Sequence, residues 1–321
     1  MAVTKHSTEP ASMEQMTRIL LLAVVIVLLL GAVAFSLIRN NWPLQCAPLS
    51  AIDKLPVPTP KQLADADGVL SLTVIDVGQG DALLLQSPSG KTMLIDAGDS
   101  DSFAAIERVL MAYGIETLDV AVATHPHLDH IGAMADVLRH YPVGAFYLTD
   151  YPASTEQYGR MLKALQKNGC SVIRAVAGMT VAWDDDVTVT VLNPFDGWTY
   201  ADANNSSVVL RVEYGAVAFL LTGDMEAETE ALLIAAYDAE LLRADVLKLG
   251  HHGSNSSSSG IFLDAVQPRI ALASVGKNNA YGHPHAEVLD RLKERSITLY
   301  RTDQTGIVTV FTDGATVLAV P

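Results

Sequence analysis

From about residue 69 onward the hydrophobic positions recur with two different periods. Short runs rich in Val, Ile, Leu and Thr predict strands over Leu72–Val77, Ala82–Gln86, Thr92–Ile95, Val120–Thr124 and Phe146–Leu148. A second set follows over Val187–Leu192, Val208–Val212, Val217–Leu221, Val246–Leu249, Ile270–Ser274, Thr298–Tyr300 and Ile307–Phe311. Helical spacing predicts helices over Phe103–Tyr113, Ile131–His140, Glu156–Lys167, Ala227–Tyr237 and Ala286–Glu294. Turn signals such as Ser87-Pro88-Ser89-Gly90 join the early runs and predict hairpins, whereas the later strands alternate with helices. Helices covering the outer faces of two sheets, an α/β layered sandwich, would bury both patterns.

The longest apolar run lies before this region. Ile19–Ile38 carries no charge and has the length needed to cross a bilayer core of roughly 30 Å. No polar face interrupts it, which argues against a buried amphipathic helix. An uncleaved anchor is expected, because the run continues past Ala34 through Leu37-Ile38. The alternative is a signal peptide with Lys5 and Arg18 as its charged part and cleavage after Ala32-Val33-Ala34, which would release a secreted protein. Pro43, Pro48, Pro56, Pro58 and Pro60 follow, a density that favours a semi-rigid spacer. The expected order is a cytoplasmic segment 1–18, a single-pass transmembrane anchor 19–38, a proline-rich linker 39–68 and an extracytoplasmic domain 69–321 at the cell membrane.

Composition narrows the class. The chain has 321 residues, 50% hydrophobic and 18% charged, which excludes a disordered tail or a coiled coil. Two cysteines cannot form a disulfide framework or a cysteine-rich zinc module. Residues 1–68 hold five charges of each sign, so the net charge of −15 falls wholly on the domain. So acidic a domain offers no basic track for nucleic acid. A polyanionic substrate would need bound cations.

Candidate chemistry lies in the histidines. Seven of the nine fall in three groups, His125/His127/His130, His251/His252 and His283/His285. In an extended stretch residues two apart share a side, so His125 and His127 can grip one cation. Asp129 and His130 stand at the mouth of the next helix, where they can serve a second cation beside the first. Asp224 ends a buried apolar strand, where a carboxylate is costly unless something positive neutralises it. Adjacent residues diverge, so only one of His251 and His252 is expected to ligate, the other holding substrate or a partner. Asp96, closing the strand Thr92–Ile95, is expected to orient a ligand instead of binding metal.

These motifs resemble a known family. The His-x-His-x-Asp-His segment 125–130, the later Gly223-Asp224 and the still later histidine are similar to the ligand set of the metallo-β-lactamase superfamily. More narrowly, four segments are similar to the hydrolase domain of ComEC-type DNA-uptake competence proteins. They are Val74-Ile75-Asp76-Val77-Gly78-Gln79-Gly80-Asp81-Ala82, Leu221-Thr222-Gly223-Asp224, Leu247-Lys248-Leu249-Gly250-His251-His252-Gly253-Ser254 and Tyr281-Gly282-His283-Pro284-His285. The resemblance runs from about Leu70 to Gly314. It implies a metallo-β-lactamase-like αβ/βα sandwich, here preceded by one transmembrane helix, with two divalent metal ions between the sheet ends. Zinc is expected first and manganese as the alternative. The implied metal ligands are His125, His127, Asp129, His130, Asp224 and His251, with Asp224 as the bridge. Asp129, His252 and His283 are expected to act in catalysis, His283 as proton donor or phosphate contact.

Two departures limit the parallel. β-Lactamases place another histidine before the bridging aspartate, and none occurs here between His140 and His251, where Asn204-Asn205-Ser206-Ser207-Val208 stands instead. Competence proteins also carry a many-helix channel, whereas this chain has one hydrophobic segment, so DNA transport by the chain alone is not expected. The expected activity is a membrane-tethered, metal-dependent hydrolase, a phosphodiesterase or nuclease attacking with metal-activated water. DNA and smaller phosphodiesters are the expected substrates. The alternatives are an envelope phosphodiesterase resembling phosphorylcholine esterases, and a non-catalytic metal-binding module of a DNA-uptake system.

Overall fold

A computed structural model describes residues 68–321. The segment 1–18, the apolar run 19–38 and nearly all of the linker 39–68 lie outside the described residues. Among the described residues no helix is long and apolar enough to cross a membrane.

The first sheet has eight strands in the order β14-β13-β1-β2-β3-β4-β5-β6. These are β1 Leu70–Val74, β2 Leu83–Gln86, β3 Thr92–Ile95, β4 Leu118–Ala123, β5 Val143–Leu148, β6 Ser171–Arg174, β13 Val308–Thr312 and β14 Val317–Val320. The second has six, in the order β12-β11-β10-β9-β8-β7. They are β7 Val187–Asn193, β8 Val209–Tyr214, β9 Val217–Leu221, β10 Val246–Lys248, β11 Ile270–Ala273 and β12 Thr298–Arg301. β2 and β3 pair antiparallel, as the Ser87–Gly90 turn requires. β3, β4, β5 and β6 run parallel, and so do β9 to β12. Parallel strands need crossovers, and helices supply them on the outer faces.

Side-chain alternation sorts the strand residues into layers. Leu72, Val74, Leu85, Ile95, Val120 and Val122 of the first sheet meet Val189, Val191, Leu210, Val212, Phe219 and Leu221 of the second. Leu84, Leu94 and Ala121 point the other way, onto Ile106, Leu110, Val137, Met161 and Leu165. Leu220, Leu247 and Ala271 likewise meet Leu233, Phe262, Leu263, Val288 and Leu292. Burying each such side chain is worth about 1.5–3 kcal/mol. The three apolar layers define the αβ/βα sandwich. Its helices include α1 Phe103–Ala112, α2 Leu128–Ile131, α3 Met134–His140 and α4 Glu156–Asn168 over the first sheet. Over the second lie α5 Ala227–Ala236, α6 Ala239–Leu242, α7 Gly260–Val266 and α8 Ala286–Glu294. α4 shows the local logic: Thr155 caps its first turn by accepting from the Tyr158 amide, Met161, Ala164 and Leu165 form its buried stripe, and Gly169 ends it at φ 78°.

The helix expected over Ile131–His140 is broken. α2 starts earlier and α3 begins anew at Met134, because Gly132 meets the loop after β3. Its amide donates to the Gly98 carbonyl at 2.8 Å, and a side chain there would come within 2.4 Å of the Asp99 backbone. That contact ties the turn carrying Asp129 and His130 to the turn carrying Asp96. β6, β14 and α7 were not foreseen; β6 and β14 are outer strands whose residues stay largely exposed.

Candidate metal centre

Every candidate residue sits at the carboxyl end of a parallel strand or just after it. β4 runs into Thr124–His130, β9 into Asp224, β10 into His251-His252, and β3 into Asp96. The two sheets point these ends at one another, and Asp224 lies at the meeting point. Its Oδ2 is 3.2 Å from His130 Nε2, 3.5 Å from His252 Nε2, and 3.9 Å from both His125 Nε2 and His251 Nε2. Asp129, His130, Asp224 and His252 each offer a ligand atom within 4.8 Å of the others.

The hydrogen bonds behind these rings set which nitrogen faces inward. His130 Nδ1 lies 2.7 Å from Asp96 Oδ2, a pure acceptor, so Nδ1 carries hydrogen and Nε2 turns to Asp224. Thr124 donates its hydroxyl hydrogen to Asp96 Oδ2 at 2.6 Å, and can then only accept from His125 Nδ1, 3.1 Å away. His252 Nδ1 donates to the Ser274 carbonyl at 2.9 Å, with Asp81 Oδ1 at 3.4 Å. His251 Nδ1 donates to Glu226 Oε1 at 2.9 Å. All four rings therefore present Nε2 to the same carboxylate. His127 Nδ1 stands 3.0 Å from His125 Nε2, close to the roughly 3.4 Å between two nitrogens on one tetrahedral ion with ~2.1 Å bonds.

Asp96 thus stands where an orienting carboxylate would stand, with its oxygens engaged by the Thr124 amide, the Thr124 hydroxyl and His130. The expectation for His251 and His252 needs correction. Adjacent side chains diverge in an extended strand, but here both residues adopt left-handed backbone, φ 47° and 55°, which turns both rings toward Asp224. Of the two, His252 is buried within the four-residue cluster; His251 is half-buried and held by Glu226 outside it. The ligand expected of His251 is therefore better supplied by His252. His283 is buried behind them, its ring 5.4 Å from His251 and 6.3 Å from His252. Burial, with the neighbouring His251, His252 and His285, pushes its pKa down to about 4, so it is neutral at pH 7. His285 is spent on the loop, accepting from the Asn255 amide and donating to the Tyr281 carbonyl.

Segment 204–208 does not supply the missing imidazole. Asn205 is consumed at the start of α5, its Oδ1 accepting from the Glu226 and Thr229 amides. Ser207 accepts from the Asp224 amide at 3.1 Å and lies 3.4 Å from His125 Nδ1, so it braces two candidate ligands from behind.

Sequence reasoning missed one pair. Lys248 ends β10 on the inner face with Val246, completely buried, and its Nζ meets Asp81 Oδ2 at 2.8 Å. A lysine inside an apolar parallel strand is itself a signal that a buried partner exists. Burial works against the Asp81 charge, but Lys248 and His252 outweigh it and hold Asp81 at about 2. Asp81 also donates its amide to the Asp129 carbonyl at 3.1 Å. Gly80 permits that approach, since a side chain there would fall 2.3 Å from the same carbonyl.

The donor set fits divalent cations. His130 Nε2, His252 Nε2 and Asp224 Oδ1 are buried and make no hydrogen bond in the structure, the condition a cation would relieve. Burial opposes charge on both rings, yet Asp224 helps hold His130 and His252 well above the ordinary imidazole value. Protons then occupy the places a cation would take.

Fold and centre together define the class, and the family model confirms it: residues 75–277 match the metallo-beta-lactamase superfamily, to which the chain belongs. Within it, the chain is 35% identical over 252 residues to ComE operon protein 3 of Bacillus subtilis, covering 73% of this chain and 32% of that one. It is 36% identical over 237 residues to competence protein ComA of Neisseria gonorrhoeae, covering 74% and 31%. The chain thus spans about a third of the length of these relatives. Among solved structures, the metallo-beta-lactamase fold protein YhfI of Bacillus subtilis matches at 14% identity and a TM-score of 0.47, over 72% of this chain and 95% of that one.

Proposed function

We propose that this metal-dependent hydrolase cleaves phosphodiesters at a dinuclear centre. His125, His127 and Asp224 would hold one ion, and Asp129, His130, Asp224 and His252 the other. Divalent ions there would supply an activated water and positive charge for a phosphoryl group. The observation that carries the reading is the convergence of unpartnered Nε2 atoms of His130 and His252 on Asp224, beside Asp129. The protein's own part is to hold these groups fixed before substrate arrives. Asp96 and Ser274 lock the two rings, Ser207 and Thr124 brace Asp224 and His125, and neutral His283 stands beside the cluster as a substrate contact. Resemblance to competence proteins supports phosphodiesters over lactams, and so does the absence of an imidazole from segment 204–208. Zinc is proposed first, manganese second. Tethering through residues 19–38, with the domain outside the cell membrane, completes the proposal.

Elemental analysis with a turnover screen tests it. Wild-type protein should bind two divalent ions and hydrolyse a small model phosphodiester, with single-stranded DNA slower and a chromogenic lactam untouched. Asp224→Ala should lose both ions; retention of two would remove the bridging role. Efficient lactam turnover without phosphodiester hydrolysis would overturn the substrate class.

A further inference from the structure

Beyond the metal cluster, three rings lie nearly parallel on a path toward solvent. His252 and His283 are 6.3 Å apart at 27°, and His283 and Tyr281 are 5.6 Å apart at 24°. His252 is buried in the centre, whereas Tyr281 is 66% exposed, with His283 stacked against its ring. We propose that Tyr281 is a stacking platform for a nucleobase, so that the phosphodiester this site takes belongs to a single-stranded nucleic acid. The inference rests on the phosphodiester reading above and names its substrate.

Three further observations carry it. The loop that presents Tyr281 is fixed before any ligand arrives. Asn279 donates to the Gly276 and His283 carbonyls and accepts from the His283 amide, while His285 donates to the Tyr281 carbonyl. A fixed aromatic loses little freedom on binding, which is the economical way to hold a planar ring. Second, His283 Nδ1 is buried and has no hydrogen-bond partner, although the ring is only 7% exposed. It offers a polar contact beside the platform, where a base edge or sugar oxygen can meet it. Third, the charge is local. The domain carries −15, but between Val246 and Ala286 the single carboxylate is Asp264, which Arg295 holds at 2.8 Å. The same stretch contains Lys248, Arg269 and Lys277, and Lys277 stands exposed on the Tyr281 loop. This side of the mouth is therefore free of the repulsion that the rest of the domain exerts on a polyanion. Stacking reads no sequence, because every base has a π face.

The test uses the full metal-loaded chain and two probes, a short oligodeoxyadenylate and an abasic oligonucleotide of equal length. Wild-type protein should cleave the base-bearing probe with the lower KM. Tyr281→Ala should shrink that preference about tenfold through KM, the usual scale for one stacked base, and Tyr281→Trp should restore it. An unchanged preference in Tyr281→Ala overturns the platform. If wild-type protein hydrolyses no phosphodiester at all, the reading of the reaction fails separately, and fluorescence decides the platform. The added emission of Tyr281→Trp should be quenched by oligodeoxyadenylate and not by the abasic probe. Equal response to the two probes, or none to either, overturns it.

Discussion

The two buried rings that face Asp224 are secured in opposite ways. Behind His130 stands Asp96, caged by hydrogen bonds from Thr124 and the ring itself. Burial outweighs those contacts and pushes the Asp96 pKa up. Behind His252 stands Asp81, within 2.8 Å of Lys248 and depressed to about 2. The first half of the domain leaves its orienting carboxylate without a basic side chain against it, while the second half carries a built-in counter-ion. The first ring therefore depends more heavily on positive charge arriving at the centre, as protons or as metal. The second is set by the fold.

The largest effect should come from breaking the ion pair. Lys248→Met leaves Asp81 charged and unpaired in the interior, which typically costs about 3–5 kcal/mol. Urea unfolding should show that loss, and the double variant Asp81→Asn/Lys248→Met should recover most of it. A cost below about 1 kcal/mol, on the scale of an exposed pair, would mean that the pair does not secure this half.

Metal affinity sharpens the comparison at a smaller scale. Asp96→Asn should weaken binding about 10–100-fold, the usual consequence of removing the carboxylate behind a ligating histidine. The double variant at Asp81 and Lys248 should cost less than that, because the Ser274 carbonyl still holds His252 Nδ1. Equal losses by calorimetry would erase the distinction between the two rings.

The mildest test is pH. His130 and His252 have pKa values raised in the metal-free fold, with burial opposing and Asp224 foremost among the groups that outweigh it. Their contribution to stability is complete below the ordinary imidazole value and is lost as pH rises through the raised values. Asp224 and Asp81 are depressed, so their contribution is present above the usual carboxylate range and is lost on acidification. The metal-free Tm should accordingly fall from neutral to alkaline pH, while metal affinity rises as protons leave the two rings. A metal-loaded protein whose Tm falls equally with pH would show that cations do not replace those protons.

Much of this was readable beforehand, and for physical reasons. Strands buried on alternating faces advertise themselves, and ligand-type residues crowded into 125–130 do not arise on an ordinary strand-to-helix loop. The sandwich and the pairing of His125 with His127 follow from such local patterns. What stayed hidden depends on distant parts of the chain. Asp81 and Lys248 meet only after both sheets have packed. The break between α2 and α3 at Gly132 is imposed by the loop after β3. His252 displaces His251 because of two left-handed residues, a conformation that no side-chain pattern announces. β6 and β14 escaped because their exposed residues lack a buried stripe.

The pairing of β1 with β13 has a consequence for the order in which the molecule can be made. Leu70–Val74 bonds along one edge to β2, which the ribosome delivers next, and along the other to Val308–Thr312, which it delivers almost last. Until then β1 is an open edge, a ready template for the wrong neighbour. The centre keeps the same timetable, since Asp129 and His130 wait for Asp224 and then for His252. A nascent chain can hold an early cation only weakly, and metal taken up at full strength therefore reports that both sheets have closed.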